Sequence, residues 1–95
     1  MFFTYSQNNT GGSFDFDADN GIGVEVIIEA DTPFQADNIA MSKGIYFGGA
    51  TYGADCDCCG DRWYRAIWGD NDITVDHSTW GDSYIHYRDG SVIKF

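Results

Sequence analysis

Val24-Glu25-Val26-Ile27-Ile28-Glu29-Ala30-Asp31-Thr32-Pro33-Phe34-Gln35-Ala36-Asp37-Asn38-Ile39-Ala40-Met41-Ser42-Lys43-Gly44 is the stretch that decides the fold. Its first seven residues alternate. Val24, Val26 and Ile28 point one way, and Glu25, Ile27 and Glu29 the other, which predicts a strand with one face on the core and the other mostly in water. A helix follows, about Pro33 to Lys43. Proline at the first helical position is preorganised and loses no hydrogen bond. Thr32 and Gln35 have capping-box spacing. Ala36, Ile39 and Ala40 form the apolar stripe, with the Lys43 stem alongside and Phe34 and Met41 as further contacts. Gly44 after Lys43 is a stop signal.

On either side of this pair the composition is β-rich. Phe2 to Gln7 reads as an opening strand. Asn8 to Gly12 is turn composition, and Phe14 and Phe16 alternate with polar residues across a short strand or extended loop. Ile45-Tyr46-Phe47 resumes strand composition, Trp63 to Trp68 is aromatic again, and Ile73-Thr74-Val75 reads as a short strand. The chain closes on a hairpin whose Asp89-Gly90 is the type I′ signal. That turn pairs Tyr87 with Val92, His86 with Ile93 and Tyr84 with Phe95. The expected fold class is α+β: one domain over residues 1–95, with a small antiparallel sheet of five or six strands and one helix packed on one face.

Charge narrows the partners. Fifteen acidic residues face five basic ones, for a net charge of −10. That much like charge repels phosphate at long range, which argues against general nucleic-acid binding. It suits a basic partner protein, or a solvated acidic surface. No apolar run approaches the ~20 residues of a membrane helix. Met1-Phe2-Phe3-Thr4-Tyr5 lacks a basic signal-peptide start, and the clustered, odd set of three cysteines is unlike a secreted disulfide framework. The expected compartment is a reducing cytoplasm.

Candidate chemistry gathers in Cys56-Asp57-Cys58-Cys59-Gly60-Asp61-Arg62-Trp63-Tyr64-Arg65. Cys56 and Cys59 have zinc-knuckle spacing, and His77 and His86 are the residues that would complete a tetrahedral site. Without a second Cys pair, a thiol-redox module or three thiols packing a tight turn are the rival readings. His86 also reads as a buried structural histidine. Arg62, Trp63, Tyr64 and Arg65, with Trp80 and Arg88, are the candidate contacts for a partner or a small nucleotide ligand, since arginine forks grip anions and aromatic faces stack. The plainer reading makes Trp63 core and pairs the arginines with the abundant carboxylates. Asp15, Asp17 and Asp19 have the spacing of the first calcium-loop ligands, but position 6 is Asn20 and position 12 is Val26. The P-loop, the dinucleotide glycine pattern, the nucleophile elbow and the zinc-protease motif are absent, so no catalytic residue is expected.

Several blocks resemble a family of small accessory proteins of tailed bacteriophages. They are Phe2-Phe3-Thr4-Tyr5-Ser6-Gln7-Asn8-Asn9, Gly11-Gly12-Ser13-Phe14, Val26-Ile27-Ile28-Glu29-Ala30, Gly44-Ile45-Tyr46-Phe47, Cys56-Asp57-Cys58-Cys59-Gly60-Asp61-Arg62-Trp63 and Ile85-His86-Tyr87-Arg88-Asp89-Gly90. The likeness spans nearly the whole chain and weakens around Trp68 to Trp80. It implies the cytoplasm of an infected bacterium as the setting. Taken with the acidic charge, the expected function is binding that blocks or redirects a host macromolecule, with a host protein as the expected partner. The likeness brings no activity and no catalytic residues.

Overall fold

The computed structural model describes residues 1–8, 14–55, 60–67, 69–71 and 82–95. Strands β1 (Phe2–Ser6), β2 (Glu25–Glu29), β3 (Ser83–His86) and β4 (Val92–Lys94) form one sheet in the order β1-β2-β3-β4. A 3-10 turn (Ala18–Asn20) precedes β2, and helix α1 (Pro33–Ser42) follows it. The fold is α+β with one helix, as expected.

The sheet differs from expectation in two ways. It has four strands among the described residues, and it is mixed: β1–β2 and β3–β4 are antiparallel, whereas β2–β3 is parallel. Parallel neighbours need a long crossover. Here the crossover is α1 plus the chain up to residue 82. That long-range pairing leaves no local mark in the sequence. Ile45-Tyr46-Phe47 forms no strand; Ile45 packs into the core from a loop, with Tyr46 and Phe47 against it. The segment 73–75 lies outside the described residues.

As a central strand, β2 is covered on both faces. Val26, Ile27 and Ile28 are all 0% exposed, and Glu25 is buried too. The expectation of a wet face on β2 is therefore corrected, because strands with neighbours on both sides and layers on both faces read as continuous apolar runs. On the helix face, Phe3, Tyr5, Val26, Ile28, Ala30, Ala36, Ala40, Ile45 and Trp63 form the core. Burying Trp63 alone removes 150–250 Å² from water, about 4–6 kcal/mol of stabilisation.

The helix ends are legible in the sequence. Thr32 Oγ1 accepts from Gln35 N at 3.1 Å. The Gln35 side chain reaches back one residue beyond the expected partner, to Asp31 N at 2.7 Å. At the other end Ile45 N donates to Ala40 O and Gly44 N to Met41 O. Gly44 has φ 104. These paired bonds are a Schellman stop, which requires a left-handed residue. The buried positions are Ala36, Asp37 and Ala40. Phe34 and Met41 are exposed and make no core contact, which corrects their expected role.

The hairpin register is one residue away from expectation. Tyr84 pairs with Lys94, Ile85 with Ile93 and His86 with Val92. Gly90 N donates to Tyr87 O and Tyr87 N to Ser91 O, so the loop is Arg88-Asp89-Gly90, three residues instead of two. The extra residue moves every partner to the opposite face.

Candidate functional site

The structure separates the sequence-predicted site residues into an interior group and a surface group. Arg62 and Trp63 are inside; Tyr64, Arg65 and Arg88 are outside. Cys56, Cys59, His77 and Trp80 lie outside the described residues, as does Cys58.

Arg62 is the hub of a polar cluster beneath the end of β1. Its main-chain N–H donates to Asp55 Oδ2 at 2.8 Å, and its Nη1 donates to Gln7 Oε1 at 2.9 Å. Its Nε is 3.1 Å from Asp15 Oδ2 and 3.7 Å from Asp55 Oδ1. Asp55 also accepts from Tyr46 Oη at 2.7 Å. Burial, and then the bond to Asp55, raises the Tyr46 pKa. Gln7 ties in the neighbouring loop by donating to Asp15 O and Gly23 O. A buried guanidinium needs such partners, because an unpaired buried charge is costly. Arg62 thus holds loops together, and a partner on the surface meets Tyr64 and Arg65 before it.

A second buried carboxylate, Asp37, sits on α1 beside the apolar stripe. Asp37 Oδ1 accepts from Tyr5 Oη at 2.7 Å and from Ala66 N at 3.0 Å. Desolvation, reinforced by Asp37, pushes the Tyr5 phenol far above its usual range. Arg65 Nη1 lies 3.7 Å from Asp37 Oδ2, and its guanidinium covers the Phe47 ring at 4.6 Å. Sequence reasoning missed Asp37 and Gln7. The signals were present: Gln7 is in phase with Phe3 and Tyr5, and Asp37 lies three residues before buried Ala40.

The described residues also form two clefts. One, of about 300 Å³, opens between β1 and the segment 64–67, lined by Thr4, Ser6, Tyr64, Arg65 and Ile67 among others. Main-chain bonds join Phe2 to Asp70 at one end of it and Asn8 to Arg62 at the other. Alternation along an antiparallel ladder turns the Thr4 and Ser6 main-chain groups to that same edge. No bond to them is made by any described residue. The other cleft, of about 220 Å³, lies between α1 and the end of β3.

Among the described residues, no group of three or more His, Cys, Asp or Glu side chains stands close enough to hold a metal. In the Asp15–Asp19 loop, Asp15 faces Arg62 and Asp17 accepts from Asn20 Nδ2. His86 is 4% exposed, and its Nε2 donates to Gly21 O at 2.8 Å. No helix among the described residues is long and apolar enough to cross a membrane.

No curated protein and no solved structure matches the chain. A family match does exist, and it covers residues 1–95: the chain belongs to the family described as a domain of unknown function, DUF7296.

Proposed function

We propose that the chain is an accessory binding protein without catalytic activity, which occupies a basic surface of a host macromolecule in the bacterial cytoplasm during phage infection. The observation that carries this reading is where the cations go. Arg62 is committed to Asp15 and Asp55, Arg65 to Asp37, and Arg88 to Asp31. Arg62 is locked in the interior, and the exposed pairs of Arg65 and Arg88 offset only the carboxylates they touch, so with 15 acidic residues against 5 basic ones the excess of acid faces outward. Among the described residues, part of it lies near the end of β1 and the starts of β2 and β3. Asp15, Asp17, Asp19 and Asp82 are exposed there and Asp61 half-exposed, and Arg62, the cation that Asp15 meets, is buried. Such a field speeds association with a positively charged surface and makes it salt-dependent. Exposed Tyr64 and Ile67, with the β1 edge at Thr4 and Ser6 that no described residue pairs, add the apolar and main-chain contacts that charge lacks.

The test is capture of host proteins on the intact chain at low salt, followed by measured affinity for whichever basic protein is captured. The expected result is a nucleic-acid-binding partner released by raised salt, and weakened binding in an Asp17→Asn, Asp19→Asn, Asp82→Asn triple variant. Binding indifferent both to salt and to this variant would sink the proposal.

A further inference from the structure

We infer that the cleft between α1 and the end of β3 is a binding site for a small organic acid of amino-acid size that carries a hydrogen-bond donor beside its anionic group. The cleft encloses about 220 Å³. On one wall stand Gln35, Ile39 and Lys43, four residues apart along one stripe of the helix. On the other stand His86, Tyr87 and Arg88. It therefore sits at the carboxyl ends of the parallel pair β2–β3, the place where helix-covered parallel strands leave a crevice.

Its chemistry is unlike the rest of the surface. Two of the five basic residues line it, in a chain of net charge −10. No described carboxylate pairs with Lys43. Arg88 is held by Asp31 at 2.8 Å, but both side chains are at least half exposed, and an exposed pair is weak enough to exchange for a ligand anion. The acceptors lie beside these cations. Glu29 lines the cleft with Oε1 on Arg88 N. His86 has its Nε2 hydrogen committed to Gly21 O, which leaves Nδ1 as a lone pair. That Nδ1 is buried and has no hydrogen-bond partner. Buried polar atoms almost always have one, so this acceptor calls for a donor that the described chain does not provide. The groups facing His86 are the Gly21 carbonyl, Val92 from β4 and Lys43 from α1. A carboxylate held by Lys43 and Arg88, with its ammonium or hydroxyl on Glu29, satisfies cations and acceptor together; reaching His86 Nδ1, whose surface is closed off here, takes a small turn of the ring.

The experiment is a titration of the intact, ¹⁵N-labelled chain at neutral pH, followed by amide and imidazole NMR. The probes are glycine, L-lactate, acetate and inorganic phosphate. Glycine carries the donor as an ammonium and lactate as a hydroxyl; acetate carries none. Expected are shifts confined to Gln35, Lys43 and residues 86–90, movement of the His86 Nδ1 signal, and acetate binding clearly weaker than glycine or lactate. Lys43→Gln and Arg88→Gln should each weaken binding about tenfold, the usual loss of a charge-assisted contact. Asp31→Asn, which frees Arg88, should tighten it. Acetate or phosphate binding as well as glycine and lactate, affinity unchanged in both cation variants, or no response to any probe would overturn the assignment.

Discussion

Tyr5 Oη donates a 2.7 Å hydrogen bond to Asp37 Oδ1, joining an edge strand to the helix through the core. The same oxygen receives Ala66 N, so one carboxylate fixes three segments. Asp37→Ala leaves two buried donors without an acceptor, at ~1–3 kcal/mol each, for a loss of about 3 kcal/mol. Asp37→Asn keeps one oxygen and should lose about 1 kcal/mol. In urea denaturation, a double-mutant cycle with Tyr5→Phe should return a coupling near ~1 kcal/mol. Additive losses would mean that the bond contributes nothing to stability.

Arg62 makes the sharper test of structure against contact. Removing it strips Asp55 of its charge partner inside the domain, which costs about 3–5 kcal/mol by the usual penalty for breaking a buried pair. Arg62→Lys should recover little, because an ammonium cannot span Gln7, Asp15 and Asp55 as a planar fork does. Arg65→Gln removes an exposed side chain and should cost under about 1 kcal/mol. Denaturation midpoints of the three variants decide this. An Arg62→Gln protein as stable as the parent would return Arg62 to the list of partner contacts.

The contrast between these two arginines shows what the sequence could and could not say. Local rules placed α1, its caps and the opening strand to within a residue, because caps, proline and glycine act through neighbours in the chain. The β2–β3 pairing joins Glu25 to Ser83, across more than fifty intervening residues, and no local pattern encodes it. Arg62 and Arg65 look alike in sequence. They differ because Asp55, Asp15 and Gln7 enclose one, while the other lies across Asp37 and Phe47 at the surface and stays largely exposed. The open clefts were illegible for the same reason: each is a gap between segments distant in the chain.

Acid should weaken the fold through His86. Burial lowers its pKa beneath the ordinary ~6.5, while the unfolded chain keeps that value. Below about pH 6.5 the unfolded state therefore binds the proton first, and stability falls with pH until the folded-state pKa is reached. The slope is at most about 1.4 kcal/mol per pH unit from this one group. Urea denaturation at pH 7.5 and 5.5 measures it. His86→Gln should remove that part of the pH dependence while lowering stability at both values. An unchanged difference between the two pH values would assign it to the carboxylates instead.

Two glycines with positive φ should respond very differently to alanine. Gly90 closes the β3–β4 loop at φ 92, and a Cβ there meets nothing within 4 Å. Its replacement carries only the backbone penalty, about 1 kcal/mol. Gly21 has φ 68, and its Cβ would lie 2.7 Å from the His86 ring and 2.9 Å from Val92. His86 is itself tied to the Gly21 carbonyl, so the ring cannot retreat without losing that bond. Gly21→Ala should therefore cost at least about 2 kcal/mol more than Gly90→Ala, since overpacking adds to the backbone strain. Thermal denaturation of the pair checks the difference. Equal losses would mean that the 18–22 turn moves freely away from β3, and the wall it gives to His86 would be soft.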